Sequence, residues 1–383
     1  MYNYIPLEQA ADILDSYRKP VNSKERLNLI KGKPLDELFP YYGATGQVGW
    51  IDSFLTDGEY ILLGEDGAPF LNPYAEKAYI IYGKTWVNNH AHILRSKTNN
   101  EFLCYYLNYF NYKNYVSGTT RLKLTQAQMR KIPIPNIPSD EQSRIVASIE
   151  ELFSELDKAV DTLKTTKEQL EVYRQTILVD AFRAATNSTY LKVGCVCAKI
   201  VDCPHSTPKW EKSGKLCLRT TNFKRGYLDL QSPNYVSEET FHDRNRRIIP
   251  QPGDVLYSRE GSVLGIACTI PSNVYPCLGQ RMMLLRSGEK LNNRYLMHYL
   301  NSPMVTNHVI ATKGGTGSPH INVGDIKEFK IPIPSLEEQS NIVRQIEEQL
   351  SSCDNVEKTV DAILAQADAM RQSILKQAFE EKI

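Results

Sequence analysis

Ile132-Pro133-Ile134-Pro135 returns as Ile331-Pro332-Ile333-Pro334, and the segment after each copy decides the fold. After a two-residue difference in length the match runs on without a gap at an offset of 197. Glu141-Gln142-Ser143 meets Glu338-Gln339-Ser340, and Ile145-Val146 meets Ile342-Val343. Near the end, Arg174-Gln175, Ile177-Leu178 and Ala181-Phe182 meet Arg371-Gln372, Ile374-Leu375 and Ala378-Phe379. A weaker echo lies upstream, where Asn99-Asn100, Leu103 and Tyr106-Leu107-Asn108 correspond to Asn292-Asn293, Leu296 and Tyr299-Leu300-Asn301. Chance does not hold register over that length. The chain is an internal duplication with pseudo-two-fold character.

Each Ile-Pro-Ile-Pro run reads as a hinge, and a long helix comes after it. Pro138 and Ser139 set a helix start, with Asp140 and Glu141 in the first turn to oppose the helix dipole. One seven-residue series is Ile145, Leu152, Ala159, Thr166 and Tyr173; the other is Ile149, Leu156, Leu163, Leu170 and Ile177. The second copy gives Ile342, Gln349, Val356, Ile363 and Met370 beside Ile346, Cys353, Val360, Ala367 and Ile374. A sustained 3.5-residue period specifies a left-handed coiled coil. A helix of about 45 residues would be roughly 65 Å long, far more than a small lobe needs for its own packing. Two matched helices in one chain are expected to pair with each other as an antiparallel coiled coil. Ile149, Leu156, Leu163 and Leu170 would face Ile346, Val360 and Ile374.

The net charge of +1 averages unlike parts. Residues 1–138 carry a balance of +2, 139–183 of −4, 184–334 of +8 and 335–383 of −5. The expected organisation is therefore a lobe at 1–138, a helical spacer at 139–183, a second lobe at 184–334 and a second spacer at 335–383. Opposite charge implies different partners, with a polyanion suited to the lobes and not to the acidic helices. The lobes read as α/β (α+β), with strands near Tyr60–Leu63, Tyr79–Tyr82, Leu216–Arg219, Asp254–Ser258 and Met282–Arg286. Helices are expected near Asn100–Tyr109 and Asn292–Leu300, and Asp57-Gly58, Asp66-Gly67, Pro252-Gly253 and Ser287-Gly288 supply turns. No apolar run is long enough for a membrane span, and Met1–Ala11 lacks a signal-peptide pattern. Eight cysteines without framework spacing fit reduced thiols, so a cytoplasmic location is expected.

Catalytic motifs are missing. There is no phosphate-binding G-x-x-x-x-G-K-[ST] loop and no G-x-S-x-G nucleophile elbow. Gly314-Gly315-Thr316-Gly317 lacks the lysine and reads as a flexible loop. Asn72-Pro73-Tyr74 lacks the second proline of an amino-methyltransferase motif. Cys195, Cys197, Cys203 and His205 have the wrong spacing for structural zinc. No metal and no cofactor is expected on this chain. An enzyme would need a motif that is not there, and a bare coiled-coil scaffold would leave two unlike lobes unused.

What remains suits DNA. The first lobe offers Asn88, Asn89, His90 and His92, then Thr119, Arg121 and Lys123. The second offers Arg219, Asn222, Lys224, Arg225, Arg246, Arg259, Gln280, Arg281, Lys313 and His320. Arg, Lys, Asn and Gln make the bidentate contacts that read purine edges, and Thr and Lys hold phosphates.

The chain resembles the specificity subunits of type I restriction-modification systems over essentially its whole length. The resemblance is carried by Pro40-Tyr41-Tyr42-Gly43-Ala44-Thr45-Gly46, Gly64-Glu65-Asp66-Gly67-Ala68 and Trp86-Val87-Asn88-Asn89-His90-Ala91-His92. Pro252-Gly253-Asp254-Val255-Leu256 and the two Ile-Pro-Ile-Pro runs with their Glu-Gln helices complete it. It implies two target-recognition domains, each reading half of a bipartite double-stranded DNA site, with the helices setting the spacing. It also implies assembly with two DNA adenine methyltransferase subunits and two ATP-dependent restriction/translocase subunits. S-adenosylmethionine, ATP and Mg²⁺ would belong to those partners. The near-neutral first lobe departs from this pattern and implies a weaker phosphate grip there.

Overall fold

The computed structural model describes residues 3–185, 188–312 and 319–381. It divides into two compact units, Met1–Lys164 with Asp361–Ile383, and Thr165–Val360. The lobes and spacers drawn from the sequence are thus combined differently, because each unit takes part of each long helix.

In the first unit, Ala11–Ile13, Ala91–Ser96, Tyr60–Gly64 and Ala78–Ile81 form an antiparallel sheet in that spatial order. The second unit repeats the order with Cys197–Asp202, Met282–Ser287, Val255–Ser258 and Ala267–Thr269. The central strands are almost continuously apolar and fully buried, from Ile61 to Leu63 and from Val255 to Tyr257. The helices Asn100–Tyr109 and Asn293–Asn301 pack against these sheets. Asn99 and Asn292 cap them by accepting from backbone N–H groups of the first turn. Asn108 accepts from the Ala78 N–H and donates to its carbonyl; Asn301 does the same to Ala267. A second, smaller sheet stands in each unit. Phe39–Gly43 and Trp86–Val87 pair in parallel in one, Lys215–Leu218 and Cys277–Leu278 in the other.

The Ile-Pro-Ile-Pro runs are not free hinges. Pro133–Pro135 pairs with Tyr4–Pro6, and Lys330–Ile333 pairs with Thr189–Lys192, so each run closes its lobe by bringing the lobe's two ends together. Alternate prolines leave alternate positions without an N–H, which a two-stranded edge tolerates and a sheet interior does not.

The long helices run Ser139–Ala184 and Leu336–Lys376. Gln142 and Gln339, both buried, fix their starts. Gln142 donates to the Ile137 carbonyl and accepts from Thr98, while Gln339 donates to the Lys290 and Pro334 carbonyls and accepts from the Asn292 N–H. The core of the first unit holds Ile145, Val146 and Ile149 together with Leu375, Ala378 and Phe379. That of the second holds Val343, Ile346 and Cys353 together with Ile177, Leu178 and Phe182. Each core therefore contains the beginning of the helix that succeeds its own lobe and the end of the other helix. Phe379 packs on Phe102, Tyr106 and Tyr109, and Phe182 packs edge-on to Tyr295 and Tyr299.

Within each unit the helices run antiparallel. Arg371 meets Asp157 in the first unit. Its repeat counterpart Arg174 meets Asp354 at 2.5 Å and Glu357 at 2.9 Å in the second. Only one of the two heptad series forms a seam throughout. Ile149, Leu156, Ile346, Cys353 and Val360 are buried, while Leu163, Leu170 and Ile374 are half-buried. In the other series Tyr173, Val356, Ile363 and Met370 are exposed. A two-helix contact covers one stripe, and only where a lobe also packs on the helix, as at Ile145, is the second series buried.

Phe182→Ala removes a fully buried ring and is expected to cost about 3–5 kcal/mol. Thermal unfolding of the full chain would show this as a marked fall in midpoint; a change under about 1 kcal/mol would contradict the packing described.

Candidate nucleic-acid interface

At the end of a central strand in each lobe the backbone makes a tight turn, and both turns are gripped identically. In the first lobe Glu65 N–H donates to the His90 carbonyl (2.8 Å), Gly67 N–H to Leu122 (3.0 Å), and Leu124 N–H back to Glu65 (2.8 Å). In the second, Arg259 N–H donates to Arg281 (3.0 Å), Gly261 N–H to Pro319 (2.9 Å), and Ile321 N–H back to Arg259 (3.0 Å). Two segments thus clasp the turn: the start of the neighbouring strand, and the stretch before the Ile-Pro-Ile-Pro strand. In the latter, Leu122–Leu124 and Pro319–Ile321 play the same part although they share little sequence.

The clasp gathers much of the expected DNA set. Asp66 faces Arg121 at 2.5 Å and His90 at 3.5 Å. Lys123 reaches Glu65 at 3.3 Å, and Arg18 pairs with the same carboxylate. Asn88, His90 and Arg121 line a cleft of about 680 Å³ with Thr45, Asp66 and Gly67. Asn89 lines a neighbouring cleft beside Asn88 and His90, and Thr119 is exposed next to Arg121. In the second lobe Glu260 faces Arg281 at 3.7 Å and bridges by backbone to His320. Gln280 ties to the His205 carbonyl and accepts from Thr207.

Other members of the set are placed elsewhere. His92 is fully buried and links Asp15 (2.7 Å) to the Leu124 carbonyl (3.0 Å), so its ring cannot reach a base. Arg259 is buried in a two-pronged pair with Asp202 at 2.8 and 2.9 Å. Asn222 is buried too, accepting from the Arg219 N–H and donating to the Asp229 carbonyl. Asn88 keeps its side-chain oxygen on the His90 N–H, so it shapes the loop. A pattern of residue types does not distinguish a polar side chain that braces a loop from one that leaves it. Lys224 and Arg225 line a different cavity, of about 480 Å³, with Arg294 and Glu347 beside the helices of the second unit. Arg219 lies over Trp210, and Arg246 pairs with Asp243 on the surface. Lys313 and the loop Gly314–Gly317 lie outside the described residues.

Beside each clasp a carboxylate at the end of the first sheet strand (Asp202) or two residues beyond it (Asp15) anchors the loops. Burial pushes the Asp15 carboxyl up, but the hydrogen bonds from His92, the Ile93 N–H and Gln126 outweigh it and hold it below its ordinary value of 3.8. Asp202 takes the corresponding place in the second lobe. Among the described residues, no group of three or more His, Cys, Asp or Glu side chains is arranged to hold a metal. No helix there is long and apolar enough to cross a membrane. Residue types could not have singled out Asp15, Asp66, Asp202 and Glu260, since acidic residues argue against a DNA surface until their cationic partners are known.

The profile of the type I restriction modification DNA specificity domain matches twice, over residues 9–172 and 205–364. The chain belongs to this family. A putative type I restriction enzyme specificity subunit of Haemophilus influenzae is 29% identical over 350 residues, covering 88% of this chain and 85% of that one. Among solved structures, a chain from work on complex assembly and conformational transition of the type I R-M system superposes with a TM-score of 0.68 at 18% identity, covering 100% of this chain and 98% of its own. The HsdS subunit of Thermoanaerobacter tengcongensis gives 0.58 at 19% identity, with coverage of 100% and 97%. The duplicated α/β lobes and paired helices are thus the fold of a specificity subunit.

Because the folded value of Asp15 lies below its ordinary one, its contribution to stability is complete above about pH 4 and is lost as pH falls through the lowered value. Asp15→Asn should therefore flatten the acid limb of the unfolding profile below about pH 4 while lowering stability at neutral pH. An unchanged acid limb would contradict the assignment.

Proposed function

We propose that each lobe reads one half of a bipartite double-stranded DNA target, and that the two long helices set the distance between the halves. The observation that carries this reading is the clasped turn, built on the same three backbone hydrogen bonds in both lobes but furnished with different side chains. A shared frame presenting His90, Arg121 and Lys123 in one copy and Gln280, Arg281 and His320 in the other would address two different half-sites in related geometry. Arginine, glutamine and histidine donors suit base edges in the major groove, while Lys123 and Thr119 suit phosphates. A duplicated chain would place two readers at a fixed spacing, as a dimeric DNA-binding protein does with its two half-sites.

The helices are acidic outside and carry exposed apolar side chains at Tyr173, Val356, Ile363 and Met370. Such a surface repels DNA and suits protein. It is the docking ground we assign to two DNA adenine methyltransferase subunits, with two restriction/translocase subunits joining for cleavage. S-adenosylmethionine, ATP and Mg²⁺ would be bound by those partners, and the chain itself would be non-catalytic. The assembly would act in the cytoplasm, where its DNA and cofactors are.

Inserting seven residues after Thr165, matched by seven after its repeat counterpart Ala362, preserves the heptad register and lengthens the pair by about 10 Å. The methylated motif should then gain a spacer of about three base pairs with both half-sites unaltered. An unchanged spacer in the mapped methylation motif would overturn the ruler.

A further inference from the structure

A carboxylate in the middle of a surface that binds a polyanion is electrostatically unfavourable, yet both clasped turns carry one. Asp66 and Glu260 occupy the same backbone place, one residue after the N–H that grips the neighbouring strand and one before a glycine. Neither is needed to hold the turn, which the three backbone hydrogen bonds already fix. Each carboxylate faces an arginine, Arg121 in the first lobe and Arg281 in the second, and Asp66 also faces the His90 ring.

The adjoining glycine has a matching role. Gly67 (φ +78°) and Gly261 (φ +91°) adopt left-handed backbone, and a Cβ on either would come within 3.3 Å of a guanidinium nitrogen. Acid and glycine together make a seat against which an arginine rests. The seat is the same in both lobes, but its occupant arrives from different segments. Arg121 comes from the stretch before the Ile-Pro-Ile-Pro strand, and Arg281 from the strand start, where the first lobe has His90. Arg281 also holds a positive φ of 66°, uncommon outside glycine and a mark of a position the surroundings enforce.

We propose that Asp66 and Glu260 are positioning residues for base readout, each holding its lobe's arginine in one orientation so that its donors meet a base edge instead of any nearby phosphate. The inference rests on the reading of the lobes as half-site readers. An untethered arginine has many rotamers and serves phosphates of any sequence; a seated one presents a fixed fork of donors. Removing the acid therefore lowers discrimination while leaving non-specific binding equal or stronger.

The test uses the full chain assembled with its methyltransferase subunits, a library of target sites as substrate, and binding to non-specific duplex at fixed salt. Asp66→Asn is expected to relax, on the order of tenfold, the same base positions that Arg121→Ala relaxes, in one half-site only. Glu260→Gln should do the same in the other half-site, at the positions relaxed by Arg281→Ala. The unaltered half-site reports that each variant is folded, and non-specific affinity should not fall. If the arginine variants relax a half-site and the acid variants do not, the positioning role is wrong and the half-site reading stands. Relaxation at different base positions, or in both halves at once, also overturns it. If neither arginine variant changes any base position, the half-site reading itself fails.

Discussion

Two phenylalanines near the ends of the long helices govern the architecture. Phe182 comes after the first lobe in sequence, yet its ring completes the core of the second unit against Tyr295 and Tyr299. Phe379 does the reverse against Phe102, Tyr106 and Tyr109. Neither unit's core is complete without a helix end that the chain supplies from the other copy. Burial of large aromatic side chains is among the strongest single contributions available to a small core. Hydrophobic closure of the units and antiparallel pairing of the helices are consequently one constraint. The repeated ion pairs, Arg174 with Asp354 and Arg371 with Asp157, then favour one register of that pairing.

On this frame the lobes are free to differ. Sheet order, the asparagine clamps of Asn108 and Asn301, the buried glutamines and the clasped turns are common to both. The side chains that leave the clasp are not. Even the buried bracing is solved twice, by Asp15 with His92 in one lobe and by Asp202 with Arg259 in the other. Backbone hydrogen bonds constrain geometry without constraining side-chain identity, so the side chains presented can change while the scaffold stays.

The duplication, the two long helices and most of the expected strands are legible in the sequence because their signal is periodic or repeated. The Ile-Pro-Ile-Pro runs stand out for the same reason, but their strand character does not, since pairing with Tyr4–Pro6 and Thr189–Lys192 lies more than a hundred residues away. The seam series is apolar throughout and the other carries Thr166 and Gln349, yet the exposed Tyr173, Val356, Ile363 and Met370 of that other series look equally fit for a core; which of them is covered is decided by what packs on the helix. The site is legible only in part. Arg121, Arg281, His90 and Lys123 stand in the clasp, whereas His92, Asn222 and Arg259 turn inward. Inward and outward positions alternate within two residues on these loops, and the acids that organise them have no sequence signature apart from their partners. At Leu122–Leu124 and Pro319–Ile321 the repeat persists in backbone geometry after it has faded from the residues.

One chain, on this account, carries two readers of common frame and unlike content. Genome-wide mapping of methylated adenines in a host carrying this chain and its methyltransferase subunits tests that claim most directly. The expected motif has two dissimilar half-sites separated by a spacer of fixed length and no sequence preference. A continuous motif, or two halves identical by symmetry, would contradict it.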